Sequence, residues 1–322
     1  MELVDKMLAG GQQALARLIT LVERESPEVP EIMRLIYPHL GGAYSIGITG
    51  PPGAGKSTVV DRLTATIRSQ GLSVGIIAAD PTSPFTGGAV LGDRIRMQQH
   101  YLDDGVFIRS MATRGSHGGL PHSCRGVMKL LDAFGKDLVI LETVGVGQTE
   151  LDIIDAADTI IVTLVPEAGD AIQTMKAGLM EIADIFAVNK ADREGANYLA
   201  TEIMAMLRMY PKQSWWEVPV LTTQALNDIG IEELYQEIQN HHQALKDSGE
   251  LTQRRREKRR REFLETVEQK VTTRLLELVE KDGKLQDYLE RVEKGELDPY
   301  SASAEVLSSQ VLAEGWGQGL KS

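Results

Sequence analysis

The sequence predicts an α/β fold, a doubly wound and mainly parallel sheet with helical additions at both ends of the chain. Three observations lead there. Between about Ala43 and Ile238, seven short runs rich in Ile, Val and Leu alternate with stretches of helical periodicity. A glycine-rich loop, Gly50 to Thr58, follows the first run directly and opens the first helix-like stretch, Val59 to Ser69. Before residue 39 and after residue 245 the patterning is helical throughout.

Residues 1–38 read as an N-terminal helical extension. Leu15, Ile19 and Val22 recur at helical spacing, and Ile32, Leu35 and Ile36 do so again after the break at Glu28-Val29-Pro30. Such helices either cap the domain that follows or bind a partner. Residues 39–245 form the central domain. Its strand candidates are Tyr44–Thr49, Ser73–Ala79, Val106–Ser110, Leu138–Glu142, Thr159–Val165, Ile185–Asn189 and Val218–Thr222. Most are near-continuous apolar runs, as strands buried on both faces require. Residues 246–322 form a C-terminal helical arm. The run Arg254-Arg255-Arg256-Glu257-Lys258-Arg259-Arg260-Arg261 opens a long helix to about Lys281, in which Phe263, Val267, Val271 and Leu275 repeat every four residues. Further helices are expected near Lys284–Glu293 and, after Asp298-Pro299-Tyr300, around Ala302–Ala313. The apolar stripe needs burial, on the central domain or in a dimer, and a homodimer is the expectation. The basic run is read as a solvated helix face rather than an RNA or lipid contact.

Composition sets bounds. The 322 residues are 42% hydrophobic and 25% charged, ordinary values for a globular protein. No apolar run approaches the roughly 20 residues that span a bilayer, and Met1-Glu2-Leu3-Val4-Asp5 lacks a secretory pattern. A cytoplasmic protein with no membrane contact is expected. Cys124 is the single cysteine, which excludes an internal disulfide and CxxC metal sites. It reads as a packing residue. A net charge of −12 argues against a nucleic-acid partner.

The stretch Gly50-Pro51-Pro52-Gly53-Ala54-Gly55-Lys56-Ser57-Thr58 satisfies GxxxxGK[ST] at every fixed position, between a strand and a helix. Its glycines let successive N–H groups turn inward around phosphates, closed by the positive end of the helix dipole. Lys56 is placed to neutralise the β- and γ-phosphates, and the Ser57 hydroxyl to ligate Mg2+. The chain is therefore read as binding a nucleoside triphosphate.

Asn189-Lys190-Ala191-Asp192, directly after the run Ile185–Val188, has the [NT]KxD form that reads guanine. The Asp192 carboxylate accepts from guanine N1–H and the exocyclic amine. Adenine offers an acceptor at N1 and no such amine, a mismatch costing about 1–3 kcal/mol or more. Asn189 can serve O6 or N7, and the Lys190 stem can lie over the base. Gln224-Ala225-Leu226 is placed like the loop that backs the base with main-chain N–H groups. GTP and GDP are thus the expected ligands.

Acidic residues complete the metal site. Glu142 closes the strand Leu138–Leu141 and precedes Thr143-Val144-Gly145, where a Walker-B carboxylate and a glycine approaching the γ-phosphate are expected. Asp80 ends the strand Ser73–Ala79, and Asp93 lies in a Gly-rich loop. Asp93 is read as the direct Mg2+ ligand beside Ser57, with Asp80 and Glu142 in the outer shell. No Gln follows Gly145 directly, and Gln148 lies three residues on. Arg94, Arg96, Arg114 and Lys176 are the available cations, and slow hydrolysis accelerated by a partner is inferred.

With these motifs the chain resembles the MeaB/ArgK-type family of methylmalonyl-CoA mutase-associated GTPases, in the SIMIBI class of P-loop proteins. The matching residues run from the Ala16–Val22 helix through Gly50–Thr58 and Asp80-Pro81-Thr82-Ser83 to Gly87–Met97 and Ser110–Gly115. They continue through Leu141–Gln148, Pro166–Asp170 with Gln173, Lys176 and Gly178, Asn189–Asp192 and Gly295–Tyr300. The resemblance implies a GTPase chaperone that gates adenosylcobalamin loading into an acyl-CoA mutase and protects that enzyme. It implies a homodimer built through the C-terminal arm. It places Asp93 in switch I, Gly145 to Glu150 in switch II, and Asp170 to Lys176 in a partner-contacting switch III. His117 and Gln224 depart from the family pattern. An older label, an ATPase of lysine/arginine/ornithine transport, conflicts with the guanine-reading tetrapeptide. The alternatives are a metal-insertion GTPase of the nickel or cobalt delivery type and a P-loop kinase. The first needs metal ligands that one cysteine with His100, His117 and His122 supplies poorly, and the second has no use for Asn189–Asp192.

Overall fold

All seven apolar runs are strands of one sheet. They are β1 (Tyr44–Thr49), β2 (Val74–Asp80), β3 (Val106–Ala112), β4 (Leu138–Glu142), β5 (Thr159–Leu164), β6 (Ile185–Val188) and β7 (Val220–Thr222). The order is β3-β2-β4-β1-β5-β6-β7, and every pairing is parallel. The structure is a computed structural model that describes residues 2–80, 97–112, 123–143, 152–166, 178–209, 215–281 and 283–308. Strand ends shift from the sequence expectation by one residue in β2, β5 and β6 and by two at one end each of β3 and β7, the larger shifts for physical reasons. β3 runs on to Ala112 because β2 extends to Asp80 beside it. β7 begins at Val220, not Val218, because Pro219 has no N–H to donate; only its carbonyl enters the sheet, accepting from Phe186 N at 2.9 Å.

Strands β1, β4, β5 and β6 are almost wholly buried, and their successive side chains feed two cores. Val139, Leu141, Ile160, Val162, Phe186 and Val188 point to one face. There they meet α1 (Glu2–Leu8), α2 (Gln12–Glu23), α3 (Val29–Ile36), α5 (Ser123–Ala133) and α6 (Ala196–Met209). Ile140, Ile161, Ile185 and Ala187 point to the other face, against α4 (Lys56–Ser69) and α7 (Ile231–Asp247). The N-terminal helices belong to the first core: Met7, Leu15, Leu18, Ile19, Ile32 and Ile36 are buried in it. Cys124 lies there too, its Sγ 3.6 Å from Met111 Sδ, with burial pushing its thiol up to about 12.

The amino ends of the strands carry N–H groups that need acceptors. Aspartates from preceding or neighbouring elements supply them. The Asp132 carboxylate takes the N–H groups of Gly41, Gly42 and Ala43 at 2.7, 3.0 and 2.8 Å. Asp137 takes Ser73 N at 2.7 Å, Asp158 takes Ser45 N at 3.2 Å, and Asp184 takes Ile160 N at 2.9 Å. Asp184 is the deepest. Burial pushes its carboxyl up, but His241, Arg254 and the Ile160 N–H together hold it below the usual carboxylate range. His241 is fully buried, with Nδ1 2.7 Å from Thr159 Oγ1 and Nε2 3.4 Å from Asp184 Oδ1.

The chain divides into two units, Met1–Arg254 and Arg255–Ser322. The boundary falls inside α8 (Glu250–Lys281), a helix of 32 residues. Beyond it the second unit holds α9 (Gly283–Glu293) and α10 (Pro299–Ser308). Phe263, Leu264, Val267, Val271 and Leu276 of α8 are exposed.

Membership of α2 in the main core has a direct consequence. Ile19→Ala removes a fully buried side chain and is expected to lower the stability of the first unit by about 2–5 kcal/mol, read from the midpoint of denaturant unfolding. An unchanged midpoint would show that α2 packs independently of the sheet.

Candidate nucleotide site

Between β1 and α4 the chain turns through Gly50–Gly55. Gly50 has φ 136°, and a Cβ there would stand 2.0 Å from Thr163 O, so the loop crosses β5 at a distance that only glycine permits. Gly55 caps α4 with φ 86°, and its Cβ would stand 2.4 Å from Asn189 Nδ2. Ala54 is buried, Pro51 and Thr58 are half-buried, and Pro52 and Gly53 are exposed. Lys56 lies within the curl of the loop, its Nζ donating to Gly50 O at 2.9 Å and Pro51 O at 3.2 Å. Its ammonium is therefore delivered to the place where phosphates meet the amino end of α4.

Ser57 follows on the first turn of α4 and donates through Oγ to Glu142 Oε1 at 2.7 Å; both residues are buried. Beside them Thr143 Oγ1 donates to Thr49 Oγ1 at 2.9 Å, and Thr143 N donates to Ile48 O at 3.1 Å. These contacts lie at the carboxyl ends of β1 and β4, where ligands bind in open parallel sheets. A hydroxyl and a carboxylate in contact make an all-oxygen donor pair, the hard-ligand chemistry that Mg2+ selects. The residues present fit that ion.

The tetrapeptide Asn189-Lys190-Ala191-Asp192 follows β6 and grips the phosphate loop. Asn189 Nδ2 donates to Ala54 O at 2.9 Å, and Lys190 Nζ donates to Gly53 O at 2.8 Å. Because a trans peptide sets C=O and N–H in opposite directions, tying the Ala54 carbonyl to Asn189 turns the Gly55 N–H away from it. Asn189 Oδ1 accepts from Ala225 N at 3.1 Å and from Thr223 Oγ1 at 3.2 Å. Lys190 holds a positive φ of 57°, uncommon for a residue with a side chain. Asp192 is exposed. The N–H groups of Gln224 and Ala225 serve the fold, on Ile229 O at 2.9 Å and on Asn189. Ala225 is buried, whereas Leu226 is 75% exposed. Asn189 therefore does more than sequence reasoning assigned it, since its carboxamide joins the phosphate loop to the Gln224–Leu226 loop.

One cluster escaped the sequence reading. Asp61, on α4 one turn beyond Ser57, accepts from Gln99 Nε2 at 2.7 Å and lies 3.3 Å from His100 Nε2. Thr223 is a second addition, identifiable in sequence only by its place beside Gln224. Asp93, Gly145 and Lys176 lie outside the described residues, as do Arg94, Arg96, Arg114, His117, His122, Gln148 and the side chain of Asp80. Among the described residues, no group of three His, Cys, Asp or Glu is placed to hold a metal ion. No helix among them is long and apolar enough to cross a membrane.

Comparison with known proteins agrees with this geometry. The profile of the family described as "Methylmalonyl Co-A mutase-associated GTPase MeaB" matches residues 15–280. A putative GTPase of Pyrococcus abyssi is 49% identical over 318 residues, covering 98% of this chain and 97% of its own. The Caenorhabditis elegans protein named methylmalonic aciduria type A homolog, mitochondrial, is 32% identical over 275 residues, covering 80% of this chain and 69% of its own. The crystal structure of a LAO/AO transport system kinase superposes with a TM-score of 0.72 at 28% identity, over 95% of each chain. The phosphate loop, the tetrapeptide bound to it and these matches lead to one conclusion: the chain is a P-loop GTPase and belongs to the MeaB family of methylmalonyl-CoA mutase-associated GTPases.

Proposed function

We propose that this GTPase is a chaperone of an adenosylcobalamin-dependent acyl-CoA mutase of the methylmalonyl-CoA type, gating cofactor loading and protecting the enzyme. The observation that carries the reading is the family match over residues 15–280, which takes in both the phosphate loop and the guanine tetrapeptide.

The chain's own groups divide the work on GTP. The N–H groups of the loop Gly50–Thr58, with the dipole of α4, cradle the phosphates, and Lys56 balances their charge. Asp192 accepts from guanine N1–H and the 2-amino group, with Asn189 and Lys190 beside it and Gln224, Ala225 and Leu226 completing the base pocket. Ser57 and Asp93 would hold Mg2+ directly, and Asp80 and Glu142 would orient its waters. The ion supplies charge neutralisation at the β- and γ-phosphate oxygens when bound. Gly145 offers its N–H to the γ-phosphate, and Lys176 brings positive charge from the segment that contacts the partner. With no glutamine directly after Gly145 to place water, hydrolysis by the chain alone is slow and the mutase accelerates it. The exposed Phe263, Leu264, Val267 and Val271 of α8 form the face of a homodimer. Burying such side chains gains about 25 cal/mol per Å2.

Two measurements test this reading. Asp192→Asn replaces an acceptor by an amide that can donate to xanthine O2 and no longer takes both guanine donors. GTP affinity is expected to fall by about tenfold or more while xanthosine triphosphate begins to bind; equal GTP affinity in the variant would remove Asp192 from base recognition. Hydrolysis of GTP and of ATP, followed with and without a purified cobalamin-dependent acyl-CoA mutase, is expected to prefer GTP and to rise several-fold with the mutase. A preference for ATP, or tight stoichiometric nickel binding, would refute the chaperone role.

A further inference from the structure

We propose that Thr143 is a positioning residue for metal-dependent nucleotide binding: with its neighbour Glu142 it pins both ends of the phosphate loop to the end of β4. This rests on the reading above, in which Ser57 ligates Mg2+ and Glu142 orients its waters.

The loop is bounded by Thr49, the last residue of β1, and Ser57, on the first turn of α4. Two consecutive residues of one other segment hold these bounds. Glu142 Oε1 accepts from Ser57 Oγ at 2.7 Å, and Thr143 Oγ1 donates to Thr49 Oγ1 at 2.9 Å. Alternation along an extended chain lets neighbours reach two places. Ile48 of β1 and Ile140 of β4 face α4, whereas Leu141 lies in the opposite core. Glu142 continues the first direction. Thr143 and Thr49 take the second, where their hydroxyls meet. All four bonded residues are buried, a setting in which a polar side chain is costly unless it is bound. The ladder between β1 and β4 ends at the pair Ile48–Glu142, and Thr143 N adds one bond past it, to Ile48 O at 3.1 Å.

The main-chain bond to Ile48 would by itself extend the strand pair. The hydroxyl bond reaches further, to the residue from which the loop departs. Gly50 comes next in the chain, crossing β5 against Thr163 O, and its own carbonyl accepts from Lys56 Nζ at 2.9 Å. The start of the loop, its lysine and its serine are thus referred to a single dipeptide. The Glu142 carboxylate is fixed against the Ser57 hydroxyl from both sides, by contact with the end of the loop and through Thr143 by contact with its beginning. Thr143 would act on the metal by holding the carboxylate and the metal's ligand in register. It would touch neither metal nor nucleotide.

The test follows release of a fluorescent GDP analogue from the full chain as Mg2+ is titrated, with a parallel measurement in EDTA. The proteins are wild type, Thr143→Val, Thr143→Ser, and the double variant Thr49→Val/Thr143→Val. The double variant removes the bond without leaving a buried hydroxyl unpaired, and the serine variant keeps it. Thermal melts establish that each is folded. The Mg2+ concentration that half-suppresses release is expected to rise about tenfold in both valine proteins, the usual effect of losing a group that orients a metal ligand. It should stay at the wild-type value in Thr143→Ser, and release in EDTA should stay at the wild-type rate in all. A folded valine protein with an unchanged Mg2+ midpoint would overturn the positioning role and leave the GTPase reading intact. So would an equal rise in the serine variant, or release in EDTA that quickens by the same factor. A wild-type protein whose release ignores Mg2+ would overturn the metal reading and this inference with it.

Discussion

The Asn189 carboxamide is held from three sides, and the geometry of the site depends on that grip. Its Nδ2 donates to Ala54 O in the phosphate loop, and its Oδ1 accepts from Ala225 N and Thr223 Oγ1 in the loop after β7. A buried amide that loses such partners leaves polar groups unpaired at about 1–3 kcal/mol each, so the three segments settle together or not at all. Lys190 repeats the connection through Gly53 O. The glycine at position 55 is required partly by this contact, since a side chain there would strike Asn189. The loop Gly50–Gly55 and the loop after β7, to which the proposed function gives phosphate and base, are thus parts of one hydrogen-bonded object.

The two ends of the sheet use polar chemistry for different purposes. At the amino ends Asp132, Asp137, Asp158 and Asp184 take main-chain N–H groups and hold the strands. At the carboxyl ends Ser57, Glu142, Thr49 and Thr143 face one another, and Asp192 stands exposed. The first set satisfies the fold internally. The second is arranged so that a ligand can take over some of its bonds.

Much of the fold was legible because its signals are local. Seven apolar runs, each bounded by polar or glycine-rich turns, correspond to seven strands with ends displaced by at most two residues. The displacement at Val220 follows from Pro219. Parallel order was legible from continuous burial, and the phosphate loop from its spacing. What was not legible depends on contacts between distant segments. The aspartates at the strand bases have no common local pattern, because Asp132 is a helix residue and Asp137, Asp158 and Asp184 are ordinary bend residues until the N–H each serves is brought beside it. The same holds for Asp61 with Gln99 and His100, and for the inward face of α2, whose periodicity was clear but whose partner was not. Asn189 was found by its motif and given only half its work, since its bonds to Ala54 and Ala225 join residues 135 and 36 positions away.

Removing the Asn189 side chain tests the coupling of the two loops most directly. Calorimetric titration of Asn189→Ala with GDP, beside wild type, measures it in one experiment. A folded variant is expected to lose GDP affinity by about tenfold or more, the equivalent of at least one unpaired buried group. A variant that binds GDP as tightly as wild type would show that the two loops hold their places without this residue, and would contradict the account.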